Sequence, residues 1–327
     1  MSELTREKIY RNELIKAGAT GNNNLERIRS LQNGGGGGGD TPNEEISVLE
    51  NIVFEGNSMA MAIVGDYVYS FGGRNNNTAH NLIKKFNIKT QMTTTLSTEL
   101  PINLYHATAV AIGGLIYIFG GRYVEGVSDS GNGDFYCFNT VTESIEKLDY
   151  KLTNSHAENG VSIGSYIYCL DNKGKIQRVN TQDGVITQMF SHSVSFDNSG
   201  MTNIGNDIYI FGGERIGNKV YKYNIDSNDF VELPFTFSSE KLLGMCVSAI
   251  GDNIYIFGGA EDNYFTHTNN IYKFNTLKNE MKLLTLKLFS PLSNFGIAKN
   301  GGSIYIFGGR VDSSTVYNKI QKFTVEF

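Results

Sequence analysis

Four arginines stand at matching places beside paired glycines, and a guanidinium held at a fixed place can grip a carboxylate or a phosphate through paired hydrogen bonds. Arg74, Arg122 and Arg310 directly follow Gly72-Gly73, Gly120-Gly121 and Gly308-Gly309, and Arg215 lies one position further on after Gly212-Gly213. The polar, varied segments that follow contain Tyr123, Tyr264, Phe265 and Tyr317 beside Glu125, Asp129, Glu261 and Asp262. Aromatic and arginine side chains together are the types that anchor protein interfaces. Arg74, Arg122, Tyr123, Arg215, Tyr264, Phe265, Arg310 and Tyr317 therefore form the candidate partner-binding set. The plainer reading of each arginine is that it braces its own loop against an acid such as Asp134, Asp312 or Glu214. The plainer reading of each aromatic is that it packs its own loop.

Enzymatic chemistry finds less material. His80, His106, His156, His192 and His267 include no pair at metal-ligand spacing, and His106 and His156 occupy corresponding places, which marks them as repeat features. Cys137, Cys169 and Cys246 lie in strand-like runs without CxxC spacing and read as small buried hydrophobes. There is no GxSxG, HExxH or P-loop run, and the glycine pairs lack both the GxGxxG spacing and the following helix of a dinucleotide site. No catalytic, metal or cofactor-binding residue is assigned, and no cofactor is expected.

The elements that must position the arginines are repeats. The run Tyr69-Ser70-Phe71-Gly72-Gly73 returns as Tyr117-Ile118-Phe119-Gly120-Gly121, at 209 to 213, at 255 to 259 and as Tyr305-Ile306-Phe307-Gly308-Gly309. A sixth copy, Tyr168-Cys169-Leu170-Asp171-Asn172, has lost both glycines. Positions 72, 120, 171, 212, 258 and 308 are separated by 48, 51, 41, 46 and 50 residues, the period of a propeller blade. Met245 to Leu284 shows one unit. Strand a is 245–250, Gly251-Asp252 is a tight turn needing positive φ, strand b is 254–257, strand c is 271–274 and strand d is 280–284. Equivalent turns stand at Gly65-Asp66, Gly113-Gly114, Gly164-Ser165, Gly205-Asn206 and Gly301-Gly302.

From about Glu44 to Phe327 this pattern resembles the kelch repeats, whose blades carry a hydrophobic run ending in a glycine pair, an aromatic in strand c and usually a tryptophan seven residues later. Tryptophan is absent here, and the seven-residue steps run from Phe138 to Ile145, Val179 to Ile186, Tyr223 to Phe230 and Phe274 to Met281. The resemblance implies an all-β, six-bladed kelch-type β-propeller. It also implies a non-enzymatic protein-interaction scaffold or adaptor, since kelch proteins serve as ubiquitin-ligase substrate adaptors, actin-associated proteins and trafficking effectors. No BTB, F-box or RING companion region is recognised. The alternative is a small-molecule binder or enzyme of the kelch/galactose-oxidase-like superfold using the channel mouth. Iron-dependent kelch specifier proteins carry an ExxxDxxxH run; Glu125 and Asp129 have its first spacing, but position 133 is Gly133.

The last blade ends at Phe327 without a strand d, whereas 44–50 near the N-terminus has the shape of one. That segment is expected to be the outer strand of the last blade, closing the propeller and removing two open edges. Ahead of it, 34–43 reads as a Gly-rich linker, and 1–33 as a short amphipathic helical or disordered extension suited to a partner or to weak self-association. The chain of 327 residues is 40% hydrophobic and 19% charged with net charge −5, so it can bury a large core and offers no global basic field. Protein partners are expected, with no nucleic acid and no membrane insertion. The N-terminus lacks an apolar signal region, and the expected location is cytoplasmic or nuclear.

Overall fold

The structure, a computed structural model, describes residues 43–49, 53–75, 78–125, 128–153, 157–261, 266–312 and 314–326. The helical or disordered extension expected over 1–33, the Gly-rich linker up to position 42, His156, Tyr264 and Phe265 lie outside the described residues, while Asn43, expected in the linker, already begins a strand.

Six four-stranded sheets are found among the described residues, five built in chain order from an inner to an outer strand and the sixth taking its outer strand from the N-terminal segment. The inner strands are Ala60–Val64, Thr108–Ile112, Ala157–Ile163, Gly200–Ile204, Cys246–Ile250 and Gly296–Asn300. Each packs beside the next and the last beside the first, which closes a ring around a central channel. Numbered by these inner strands, the sheets are blades one to six. The fold is thus an all-β propeller. Among the described residues no helix is long and apolar enough to cross a membrane.

The strand b runs are apolar at consecutive positions because both of their faces are covered. Ile116, Ile118 and Phe119 of blade two are all 0% exposed, each worth roughly 1.5–3 kcal/mol relative to exposure. A strand c aromatic of each of four blades packs on the strand b aromatics of the blade before it. Phe138 lies 5.4 Å from both Tyr69 and Phe71. Phe274 faces Tyr209 and Phe211, and Phe323 faces Tyr255 and Phe257. Phe86 of blade one faces Tyr305 and Phe307 of blade six, closing the circuit. The seven-residue steps are cross-strand pairs: Phe138 opposite Ile145, Val179 opposite Ile186, Tyr223 opposite Phe230 and Phe274 opposite Met281. A smaller side chain fills the place of the usual tryptophan.

The glycine pair joins one blade to the next. At Gly120, where φ is +67°, a Cβ would sit 1.7 Å from the carbonyl oxygen of Ala157, and the N–H of Gly121 donates to that same oxygen at 2.9 Å. The carbonyl can reach this donor only because the preceding residue has no side chain. Blade three, which lost its pair, uses Gly174 instead. A Cβ there would meet the Val194 oxygen at 2.4 Å, while the Asp171 carboxylate accepts from the N–H groups of Lys173 and Lys175 and shapes the turn.

Blade six is completed from the other end of the chain. Its sheet order places Asn43–Leu49 outside Ile320–Glu326. Burial alternates along this strand, with Ile46 packing on the core between blades five and six and Leu49 on that between six and one. Glu44 accepts a hydrogen bond from the Tyr255 hydroxyl at 3.2 Å and pairs with Lys273, both in blade five. Burial, reinforced by the Glu44 charge, drives the Tyr255 hydroxyl far above the ordinary phenol range, so it stays a donor.

Candidate functional site

Antiparallel pairing puts the start of every strand a, the end of every strand b and the b–c loops at one end of the propeller. The residue just before or near the start of strand a is Ser58, His106, Asn198, Gly244 and Asn294 in blades one, two, four, five and six, with φ of 56°, 53°, 58°, 59° and 51°. This left-handed conformation costs a non-glycine residue about 1–2 kcal/mol, so the surrounding structure must hold it. It does so with main-chain hydrogen bonds running around the channel mouth. His106 N–H donates to Ser58, Ser58 to Asn294, Asn294 to Gly244 and Gly244 to Asn198, at 2.7 to 2.9 Å. The mouth opens on a central cavity of about 490 Å³ lined by the inner strands of all six blades.

One sector of this mouth carries a fixed polar chain. The Asn57 side-chain N–H group donates to the Arg74 carbonyl at 3.3 Å, so its amide oxygen is the atom that accepts from the Ser58 hydroxyl at 3.0 Å. The Ser58 hydroxyl also shares a hydrogen bond with His106 Nε2 at 3.2 Å. The Arg74 guanidinium lies 3.5 Å above the ring centre of Tyr105, the residue before His106. Blades one and two are thereby tied together at the mouth.

The residue after the glycine pair sits one step outward from this ring. Arg74 bridges to Asn57, Arg122 pairs with Tyr105, and Arg310 bridges to Ser293. The same place is Glu214 in blade four, bonded to Asp197, and Ala260 in blade five, bridged to Leu243. The arginines are therefore not spaced around the whole mouth but gather on the neighbouring blades six, one and two. Arg215 lies on an exposed turn of blade four, away from that sector. Tyr123 packs on the core between blades one and two, and Tyr317, whose N–H donates to Gly309, packs on that between five and six. Of the acids, Asp134 takes Lys147 and Lys151 at 2.6 and 2.9 Å, while Asp312 accepts two main-chain N–H bonds in its own turn.

Two features escaped the sequence reading. The left-handed ring recurs at the blade period, a signal visible at Asn198 and Asn294, but its residue types vary from blade to blade. Phe289, in the linker between blades five and six, is 60% exposed while its N–H donates at 2.8 Å to Gln321, which is 0% exposed. Nothing local distinguishes such a presented aromatic from a buried one.

Burial holds three titratable groups in their uncharged forms. Both ring nitrogens of His80, in the b–c loop of blade one, are buried without a hydrogen-bond partner among the described residues, and burial, then the Lys84 charge, lowers its pKa to about 4. Burial pushes the Cys137 thiol up to about 11 and the Cys246 thiol up to about 12, far from a thiolate nucleophile at neutral pH. At the iron motif Gly133 has no side chain to offer, and among the described residues no three His, Cys, Asp or Glu side chains gather as a metal site. The residues present do not fit that iron centre.

Residues 198–326 match the family described as the KLHDC2/KLHL20/DRC7 Kelch-repeats domain, and residues 104–151 match the Kelch motif. The chain is a kelch-repeat protein. Kelch repeat and BTB domain-containing protein 2 of Cowpox virus (strain GRI-90 / Grishak) is 29% identical over 150 residues, 43% of this chain and 26% of that protein. N-(sulfonatooxy)prop-2-enimidothioate sulfolyase of Thlaspi arvense is 29% identical over 121 residues, 34% of each chain. The match thus spans between a quarter and about a third of these relatives' length. The solved structure of YjhT superposes with a TM-score of 0.72 at 15% identity, covering 86% of this kelch chain and 100% of the other, a likeness of fold.

Proposed function

We propose that this kelch-repeat protein is a non-enzymatic interaction scaffold or adaptor that holds a protein partner on the b–c loop end around the channel mouth. The observation that carries this reading is the strained mouth, where left-handed residues are held in place and arginines cluster on neighbouring blades. Loops on a rigid scaffold can recognise a partner without loss of the scaffold's order. The candidate contacts are Arg74, Arg122 and Arg310, with Tyr264 and Phe265 on the blade five loop.

Affinity purification with the full chain tests this, using the wild type, a Tyr264→Ala/Phe265→Ala variant and Val141→Glu. Val141 is 86% exposed in the c–d turn of blade two, at the opposite end. Partners should be kept by wild type and Val141→Glu and lost by the loop variant. Identical recoveries from all three would defeat the site assignment, and loss with Val141→Glu alone would move the interface to the other end.

A second reading, small-molecule binding or catalysis at the mouth, is favoured by the cavity of about 490 Å³ and the polar Ser58–His106 contact at its rim. A Ser58→Ala variant that keeps every partner but loses a ligand-induced thermal shift would favour this reading over the first.

A further inference from the structure

We infer that Met61 is a reversible oxidation site at the seam where blades six and one close the ring, reached by hydrogen peroxide through the central channel. The site lies on the channel wall and needs no partner at the loop end. Neighbouring blades do not fill their seams alike. Between blades one and two the inner strands contribute Ala60, Ala62, Ala109 and Ala111. Between blades six and one they meet through sulfur. The inner strands Ala60–Val64 and Gly296–Asn300 pack side by side, and Met61 belongs to the core between them. A Cβ at Gly296 would overlap the Met61 thioether, so glycine on blade six leaves the socket that the sulfur of blade one fills. Met59 reaches the same seam, its methyl 3.4 Å from the place of a Gly308 Cβ.

Exposure selects Met61 among its neighbours. Met59, Met61, Met201 and Met245 all line the cavity of about 490 Å³, but Met59, Met201 and Met245 are buried whereas Met61 is half-buried. A space that holds waters also admits hydrogen peroxide, one oxygen atom larger. The thioether reacts without first losing a proton. A sulfur lone pair attacks one peroxide oxygen, the O–O bond breaks and an S–O bond forms. Two electrons pass from sulfur to the peroxide, and the attacked oxygen gives its proton to the departing hydroxide, which leaves as water. Cys246, on the same channel, is the slower group, because its thiol donates to the Phe295 carbonyl at 3.0 Å and burial pushes it up to about 12, leaving little thiolate. Thiol-dependent reductases return the sulfoxide to the thioether, oxidising two thiols to a disulfide and releasing the oxygen as water. The sulfoxide is polar where the thioether was apolar. The Gly296 backbone closes one side of the sulfur, so the new oxygen turns towards the channel water and draws the side chain off its socket. That leaves a gap where the first blade meets the last.

The experiment is graded hydrogen peroxide treatment of the full chain carrying Met92→Leu, which removes a methionine 66% exposed on the c–d turn of blade one. Peptide mass spectrometry follows each methionine, and Tm and amide hydrogen exchange follow the seam. Met61 should gain an oxygen before Met59, Met201 and Met245. Tm should then fall, and exchange in Ala60–Val64 and Gly296–Asn300 should quicken several-fold before that in Cys246–Ile250. Methionine sulfoxide reductase with a dithiol should restore both. Adding Met61→Leu should keep Tm through the same treatment, and Met61→Gln should lower it without peroxide. If Met61→Gln does not fold, the Met61→Leu comparison decides. Oxidation of the three buried methionines ahead of Met61, oxidised Met61 with Tm and exchange unchanged, or an equal loss of Tm in Met61→Leu would each overturn the inference. A loss that the reductase fails to repair would overturn its reversibility.

Discussion

Replacing Gly120 with alanine isolates the contact that holds one blade to the next. A Cβ at this position would lie 1.7 Å from the Ala157 carbonyl oxygen, and contacts under 3.0 Å essentially never occur, so the linker must retreat by at least 3.0 − 1.7 = 1.3 Å. That retreat breaks the 2.9 Å hydrogen bond from Gly121 N–H to the same oxygen. Leaving this donor unpaired costs about 1–3 kcal/mol, and the left-handed backbone adds about 1–2 kcal/mol for a residue with a Cβ. The expected loss is therefore about 2–5 kcal/mol, against a typical total of about 5–15 kcal/mol. Gly113 is the control. It has φ +62°, close to the +67° of Gly120, but no atom lies within 4 Å of the place a Cβ would take, so Gly113→Ala should cost only the backbone share, about 1–2 kcal/mol. Urea unfolding of the two variants beside the wild type gives the difference directly. Equal losses would refute the argument that the glycine pair exists to admit the neighbouring carbonyl.

Two further outcomes follow from charged groups. The pair between Glu44 and Lys273, 17% and 18% exposed, ties the closing strand to blade five, and a double-mutant cycle with Glu44→Ala and Lys273→Met should give a coupling of about 1–3 kcal/mol. A coupling indistinguishable from zero would remove this pair from the closure. His80 titrates near 4 in the folded chain against an ordinary value of 6.5, so below 6.5 the unfolded chain binds the proton that the folded chain refuses. Its contribution is complete above 6.5 and is lost as pH falls towards 4, so His80→Asn should flatten the decline in unfolding free energy between those values. An unchanged slope would show that His80 is protonated while folded.

Blade architecture was legible because it depends on local types at a fixed period. In blade five the expected strands differ from those found only at their ends, Cys246–Ile250, Asn253–Phe257, Ile271–Asn275 and Glu280–Leu283. The arrangement of the candidate site was less so. That Arg74, Arg122 and Arg310 follow glycine pairs is written in the chain, but a linear repeat suggests an even ring. The closed circuit, expected from the N-terminal strand and found in the inner-strand contacts, makes blades six and one neighbours and so turns three scattered arginines into one sector.

By itself the sequence determined the β architecture, the blade period and which residues face the b–c loop end, because alternation, tight turns and glycine pairs act over a few neighbouring residues. Tertiary structure decided what no window along the chain contains: the left-handed ring bonded across successive blades, the Asn57–Ser58–His106 chain, Gly174 standing in for a lost pair, and the exposure of Phe289. Each of these depends on a carbonyl, ring or amide from a distant segment arriving within about 3–5 Å, a range at which hydrogen bonds and packing act and sequence distance does not.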